Sequence, residues 1–371
     1  MKIAILGTKG IPNNYGGYEQ FAEYISQRLI KKGHLVTVYN PSFHSFKDDH
    51  FHGVSIIRKY SPEKLIGGAA NFIYDYLCLK DALMRDFDII YEAGYHSVAY
   101  SLKWFDVKRL KHPVVITNMD GLEYNRSKWN SLTQNLIKKL EKIAVDESPY
   151  MISDNIGIQD YYRSNFKKDS FFIPYGADLV ETFDEKYLIH RSLTKFGYFI
   201  LVARFEQENN IETALDGYRL SKSKLPFIVV GNHYTSYGKY LKRKYAGDDV
   251  KFVGGIYKKD ELDALRHYAM AYFHGHSVGG TNPSLLEAMS SKCFIVAHDN
   301  IFNKKVLYES ALYFKDVDSA RNVIEQLSQL RKDNQDLFIE ENSQRIKYEY
   351  NWNKIVEQHE LLFEQLLKQS H

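Results

Sequence analysis

Cysteine is scarce in this 371-residue sequence: Cys78 and Cys293 are the only two, far apart and each within an apolar run. They supply neither a disulfide framework nor a four-cysteine metal site, and their scarcity points to a reducing cytosol. Long apolar runs are also missing. The least polar stretch, residues 65–79, contains Asp75 and is too short to span a bilayer. Lys9 interrupts the first apolar run, Ile3-Ala4-Ile5-Leu6, too early for a secretory signal. Nor does one sign of charge dominate: 49 Lys and Arg against 46 Asp and Glu leave +3, too little to argue for nucleic acid. There are no internal repeats and no low-complexity segments. What is present is a globular composition, 44% hydrophobic and 26% charged, with 29 Tyr, 22 Phe and 3 Trp. Such a length predicts two domains, each with its own core, in a soluble cytoplasmic chain. Tyrosine-rich surfaces suit sugars, although aromatic cores are the commoner use of such residues.

The apolar pattern predicts α/β architecture. Residues 2–6 read as a strand, followed by a helix with Phe21, Ile25, Leu29 and Ile30 on one face and Gly33 closing it, then a strand over 35–39. Further strands are expected at 88–91, 113–117, 150–153 and 170–173. A helix over 133–145 would turn Leu136, Leu140 and Ile143 inward. A second alternation starts near residue 197, with strands at 198–202, 227–230, 250–253, 270–274 and 294–297. Two such runs predict two doubly wound domains with a boundary between 178 and 195. The last helix, over 353–368, would bury Ile355, Leu361, Leu362 and Leu366.

The first loop, Gly7-Thr8-Lys9-Gly10-Ile11-Pro12-Asn13-Asn14-Tyr15-Gly16-Gly17, lacks both phosphate-loop signatures. Lys9 stands where a dinucleotide fold needs its second glycine, and there is no G-x-x-x-x-G-K-[ST]. It reads as a mobile loop whose Gly16-Gly17 pair begins a helix, where bare amides attract phosphate; a plain β-α turn fits equally well. Gly275-His276-Ser277-Val278-Gly279 matches the nucleophile-elbow pattern G-x-S-x-G, with Asp299 and His359 as nominal partners. Gly280-Thr281-Asn282 intervene before the helix, with Asn282 as N-cap and Pro283 as first helical residue, so the strand does not turn directly into a helix at the serine. The same loop reads better as an anion site built from the amides of Gly280, Thr281 and Asn282, with Glu287 one turn on, suited to ribose hydroxyls. Arg204 follows a strand end, where ligands of doubly wound domains gather and where a guanidinium could hold a diphosphate. Metal signals are poor. In Asp316-Val317-Asp318, Asp318 reads as the cap of a helix from Ser319, and His44, Asp48, Asp49, His50 and His52 read as a polar loop.

Together these blocks resemble a known family. The sequence is similar to family 4 glycosyltransferases of GT-B architecture, and more closely to their bacterial rhamnosyltransferase branch. The resemblance is carried by Gly7 to Glu19, by the block from Asp120 to Trp129, by Ile173-Pro174-Tyr175-Gly176-Ala177-Asp178, by Ala203-Arg204-Phe205-Glu206-Gln207-Glu208-Asn209-Asn210, and by Gly279 to Met289. It implies two Rossmann-like domains facing a central cleft: an acceptor domain (residues 1–185), a nucleotide-sugar domain (186–350) and a C-terminal helix (351–371) packing back toward the first. It further implies retaining transfer from a nucleotide diphosphate sugar, with dTDP-L-rhamnose the expected donor. The acceptor would be a lipid-linked glycan of bacterial surface polysaccharide, and no cofactor or metal is expected. Asp120 and Arg204 would be catalytic. Gly16, Gly17, Arg204, Asn209, Gly280, Thr281 and Asn282 would hold the diphosphate and sugar, and Gly254, Tyr257 and Glu287 the nucleoside. Tyr18, Glu19, Glu123, Arg126 and Lys128 would meet the acceptor. Two positions depart from the wider family: Gly279 replaces the first glutamate of a Glu-x7-Glu pattern, and Asn209 replaces a lysine. The rhamnosyltransferase branch shares both, which reads as adaptation to a 6-deoxy sugar. The alternatives are a UDP- or GDP-hexose donor, or a catalytically silent partner subunit. Lys103, Lys108, Arg109, Lys111, Arg126, Lys128, Lys138, Lys139 and Lys142 make the first domain basic, which suits contact with an anionic membrane at its cytoplasmic face.

Overall fold

The computed structural model describes residues 1–119, 121–126 and 129–370, and the chain divides into two compact units. The first unit contains strands β1 (Lys2–Leu6), β2 (Leu35–Pro41), β3 (His50–Phe51), β4 (Val54–Lys59), β5 (Ile89–Glu92), β6 (Val114–Asn118), β7 (Tyr150–Ser153) and β8 (Phe171–Phe172). Its helices are α1 (Gly17–Lys31), α2 (Glu63–Ile66), α3 (Ala70–Leu83), α4 (Ala99–Trp104), α5 (Ser131–Glu147) and α6 (Ile156–Phe166). The sheet order is β3-β4-β2-β1-β5-β6-β7-β8, parallel except for β3. The fully buried runs Ile3 to Leu6 and Ile89 to Glu92 show why the strands read as continuous apolar segments: helices cover both faces.

The second unit contains α7 (Lys186–Ile189), β9 (Phe199–Val202), α8 (Ile211–Ser221), β10 (Phe227–Val230), α9 (Ser236–Lys244), β11 (Val250–Gly254), α10 (Lys259–His267), β12 (Ala271–His274), α11 (Pro283–Ser290), β13 (Ile295–His298), α12 (Ile301–Leu307), β14 (Leu312–Phe314) and α13 (Val317–Tyr348). Its parallel sheet runs β11-β10-β9-β12-β13-β14. Aromatic rings fill its core, with Phe227 5.8 Å from Phe199 and 5.2 Å from Phe273 between ring centres. Much of the aromatic content is therefore structural; Tyr39, Tyr95, Tyr162, Tyr198, Tyr245 and Tyr272 are also fully buried. The last helix, α14 (Trp352–Ser370), belongs to the first unit. It lays Trp352 against Tyr24 at 5.1 Å, and Glu360 accepts from Lys32 at 2.6 Å.

Several expectations are corrected. The chain enters the second unit at Gly176 rather than near residue 186. Residues of that connector are bonded to the second unit: the Val180 amide donates to the Ser290 carbonyl at 3.1 Å, and Phe183 stacks on His267 at 3.7 Å. His50 is in a hairpin strand, not a loop. His52 and Gly53, both with positive φ, form the two-residue turn that sends the chain into β4. Leu136 and Leu361 are exposed; the inward positions are Ile137 and Leu140 on α5, and Leu362 and Leu366 on α14. The cap before α13 is Asp316, not Asp318: its carboxylate accepts from the Ser319 amide at 2.9 Å, in a capping box. β4 and β14 have no counterpart among the strands expected above.

α8 packs against α13 at unusually close range because Gly217 has no side chain. A Cβ there would lie 2.6 Å from Ala320 Cβ, 2.9 Å from the Arg321 nitrogen and 3.0 Å from the Val317 carbonyl oxygen. Gly217→Ala would gain about 1 kcal/mol of helix propensity. Rotamer change cannot relieve a backbone clash, and overpacking costs about 1–3 kcal/mol. The substitution is expected to destabilise the protein; a urea midpoint equal to or above that of the parent would refute this packing argument.

Candidate functional site

Parallel strands place all their C-terminal ends on one edge of a sheet, and the loops leaving that edge are where an open α/β unit binds ligands. In the second unit the loops after β9 and β12 are laced together there. The Ser277 amide and hydroxyl both donate to the Glu208 carbonyl, at 3.1 and 2.8 Å, and the Asn210 side-chain amide donates to the Gly275 carbonyl at 2.8 Å. Gly275 permits this approach: a Cβ would fall 2.0 Å from the Asn209 carbonyl oxygen.

Arg204 emerges exposed from this lacing. Its carbonyl is held by the buried Asn209, whose side-chain nitrogen donates at 2.7 Å. Asn209, expected to contact the diphosphate or sugar, braces the arginine loop. His276, on the facing loop, is held through its carbonyl by Asn300 and Asn303, each at 3.0 Å. Burial, followed by the charges of Arg204 and Arg126, pushes its imidazole pKa down to about 3, so the ring is neutral. Arg126 pairs with Glu206 at 3.1 Å and Glu208 at 3.4 Å. Arg126 groups with the second unit. Arg126 therefore lies beside the Arg204 loop, where its guanidinium compensates two glutamates. Neither His276 nor this acidic pair was singled out from the sequence, since each lay inside a motif read for another purpose.

The β12 loop runs through Gly279 and Gly280, both partly exposed, and the buried Thr281 into α11. Asn282 caps that helix as expected, its side-chain oxygen accepting from the Ser284 amide at 2.9 Å. Partly exposed Glu287 lies one turn along. Its Oε2 accepts from Nη2 of the fully buried Arg266 at 2.7 Å, a partner the sequence reading missed. At the end of β11, Gly254 accepts from the Gly231 amide at 2.9 Å. Tyr257 is 90% exposed, with its ring folded over Gly255. The second sheet thus gathers Arg204, Gly254, Tyr257, Gly280, Thr281 and Asn282 along its C-terminal edge.

In the first unit the first half of the Gly7-to-Gly17 loop is hydrogen-bonded to its surroundings. The Asn40 side chain accepts from the Ile11 amide at 3.1 Å and donates to the Ile11 carbonyl at 2.8 Å. The Lys9 ammonium reaches Glu63, and also Asn71 at 2.9 Å. Glu19 is only 2% exposed, and its carboxylate accepts from the Lys9 amide at 2.6 Å. Burial raises its pKa, while the amides of Lys9, Glu19 and Gly16 oppose that shift. Glu19 therefore clamps this loop, and its buried carboxylate is engaged by the Lys9 amide. Gly16 and Gly17 begin α1 with no side-chain cap, and the Tyr18 ring lies near Gly94 at the end of β5. Glu123 is partly exposed in a short turn. Asp120 and Lys128 lie outside the described residues. Beneath Gly7, both carboxyl oxygens of Glu92 are buried without a hydrogen-bond partner among the described residues, and burial raises its pKa well above the usual carboxylate range. This buried acid was also missed.

The elbow arrangement is absent. The Ser277 hydroxyl is committed to a carbonyl, Asp299 pairs with Lys304 at 2.7 Å, and His359 belongs to the core of the first unit, hydrogen-bonded to Ile355. Among the described residues, no group of three His, Cys, Asp or Glu side chains is placed to hold a metal ion.

Comparison with known proteins agrees with this geometry. Residues 185–352 match the family model described as Glycosyl transferases group 1, and residues 1–178 match one described as Domain of unknown function (DUF1972). The chain is 25% identical over 261 residues to an uncharacterized glycosyltransferase, MJ1069, of Methanocaldococcus jannaschii; the match spans 64% of each chain. Its fold is similar to that of sucrose-phosphate synthase from Thermosynechococcus elongatus, with a TM-score of 0.80 at 18% identity over 99% of both chains. It is also similar to Anabaena HepE, solved in complex with UDP, with a TM-score of 0.74 at 14% identity over 98% of this chain and 100% of that one. Residues 185–352 thus match the group 1 glycosyltransferase family model, and the two-sheet fold is of the GT-B type seen in sucrose-phosphate synthase.

Proposed function

We propose that the protein transfers L-rhamnose, with retention, from dTDP-L-rhamnose to a lipid-linked glycan acceptor in bacterial surface polysaccharide synthesis. The observation that carries the donor assignment is Arg204, exposed at the C-terminal edge of the second sheet on a loop braced by Asn209 and laced to the loop that enters α11. There a guanidinium, loop amides and a helix N-terminus stabilise the charge that develops on a departing diphosphate, without needing a metal. Tyr257 offers an exposed ring for the base, and Glu287 a carboxylate for the nucleoside sugar. HepE was solved with UDP, which supports a nucleotide donor and keeps a UDP-hexose as the second reading. Gly279 favours the 6-deoxy sugar. Being a glycine, it supplies no side chain where the wider family has a glutamate. Asp120 is assigned, on the resemblance, to contact with the acceptor hydroxyl or donor sugar, and Tyr18 and Glu123 to the acceptor region.

The acceptor unit also supports membrane contact at the cytoplasmic face. Lys108 and Lys142 are paired with Glu147 and Asp146, which weakens the purely electrostatic argument. However, Leu65, Ile66, Phe72, Ile73 and Trp104 are exposed, with Lys64 and Lys103 nearby in sequence and also exposed. Apolar and aromatic side chains interspersed with lysine suit an anionic lipid interface.

Arg204→Ala should weaken binding of dTDP about tenfold or more, by loss of a charge-assisted contact, with the thermal midpoint of the free protein unchanged. Equal affinity in a calorimetric titration would refute its diphosphate role. Asp120→Asn should lower turnover of dTDP-rhamnose while leaving dTDP affinity nearly intact; the reverse split would reassign it to donor binding. In a panel of nucleotide sugars, slow hydrolysis of dTDP-rhamnose above all others is expected. Hydrolysis of a UDP-hexose instead would favour the second reading, and no turnover of any donor would favour a silent subunit. The protein should sediment with anionic vesicles at low salt, and Leu65→Glu combined with Phe72→Glu should abolish this; no sedimentation of the parent would remove the membrane assignment.

A further inference from the structure

Arg266 is the most deeply buried charged side chain near the nucleoside end of the second unit, at 1% exposure. It lies on α10, and its two terminal nitrogens diverge. Nη2 donates to Glu287 Oε2 at 2.7 Å, whereas Nη1 faces Asp263 Oδ1 at 3.4 Å. Asp263 is itself buried and fixed from two further sides, by the Ser291 hydroxyl at 3.1 Å and by Lys259. The Arg266 guanidinium also lies 5.7 Å from the centre of the Tyr272 ring. Its Nε is buried with no hydrogen-bond partner among the described residues.

This arrangement is costly as a purely structural device. Desolvating a guanidinium and a carboxylate costs several kcal/mol per ion in general, and well-packed apolar replacements of such buried pairs are often at least as stable. The arrangement does something an apolar pair cannot: it fixes the plane of a carboxylate that reaches partly exposed surface. Glu287 sits one turn into α11, where a free side chain would sample several rotamers and lose entropy on engaging a ligand. A planar fork anchored at Asp263 holds one carboxylate oxygen in place before any ligand arrives, which a lysine cannot do with the same geometry.

We infer that Arg266 is a positioning residue for nucleotide recognition, orienting the Glu287 carboxylate to accept a hydrogen bond from the 3′-hydroxyl of the donor's nucleoside sugar. The inference rests on the reading of Glu287 as the nucleoside-sugar contact proposed above. Both ribose and 2′-deoxyribose present that hydroxyl, so the device serves thymidine and uridine nucleotides alike.

The test compares dTDP with 3′-deoxythymidine diphosphate, and UDP with 3′-deoxyuridine diphosphate, by calorimetric titration. The parent protein should prefer the hydroxylated member by about tenfold, the magnitude of a hydrogen bond to a charged group. In Arg266→Met and Arg266→Lys that preference should fall to about twofold or less, with affinity for the 3′-deoxy compounds unchanged. Arg266→Lys keeps a cation opposite both carboxylates and serves as the readout if the methionine variant does not fold. If folded variants lose affinity equally for both members of a pair, or keep the full preference, Arg266 is only a tie between helices and the inference fails. Glu287→Gln separates the two levels. If it too leaves the preference intact, or if the parent shows none, the nucleoside-sugar reading of Glu287 falls first; if Glu287→Gln abolishes the preference and the Arg266 variants do not, only the positioning inference falls.

Discussion

The backbone contact between Gly275 and Asn209 governs the arrangement of the second unit's binding edge. With no side chain at Gly275, the loop after β12 lies directly on the turn after β9, leaving only 2.0 Å between a hypothetical Cβ and the Asn209 carbonyl oxygen. At that range the Ser277 amide and hydroxyl share the Glu208 carbonyl, and Asn210 reaches across to Gly275. Each loop supplies the polar partners that the other would otherwise find only in water, which satisfies backbone groups at a crowded strand edge. Arg204 is presented by the same lacing, since Asn209 holds the arginine's carbonyl from one side while its own carbonyl packs against Gly275.

This contact also explains why the G-x-S-x-G pattern invites a wrong reading. The first glycine is required by a close approach between loops, and the serine is needed for its bonds to a carbonyl. A nucleophile elbow places glycines around a serine to relieve crowding at a strand-to-helix turn. Here the helix begins only at Pro283, beyond a further stretch of loop, so the same letters serve a different geometry. Local pattern could not separate the two; the spacing to Asn282 and Pro283 could.

The alternation of the two sheets was legible because buried parallel strands are apolar on both faces, and residues such as 150–153 and 227–230 coincide with their strands. The cap and first turn of α11 were legible for a local reason as well. The less readable parts depend on polar groups whose partners are distant in sequence. α13 buries Arg331, which donates to the Ala269 carbonyl at 2.9 Å, and Asn342, which donates to the Ser310 carbonyl at 2.8 Å, so its inward face is not an apolar stripe. Glu19 looks like a solvated or ligand-binding glutamate until the chain folds back and places the Lys9 amide on it. Arg126 reads as part of a basic stretch, but its charge is met by Glu206 and Glu208, about 80 residues further along. The fold was therefore more readable than the site, because apolar periodicity is local and charge pairing is not.

The pairing of Arg126 bears on how the proposed transfer would be stabilised. A basic residue neutralised by two carboxylates contributes little net field to a nearby diphosphate, and the neutral ring of His276 adds no charge. Asn209 stands where the wider family resembled here has a lysine, and it is occupied as a brace. Among the predicted donor residues, Arg204 is the one cation, and it is exposed. In such a site the fixed dipoles of the main chain carry more of the load. The loop from Gly279 to Asn282 and the first turn of α11 supply amides that need no reorganisation as charge develops. Their effect depends on orientation, and the orientation is set by the lacing at Gly275. In the proposed reaction, Gly275 would thus act on the electrostatics through the geometry of the loop that follows it.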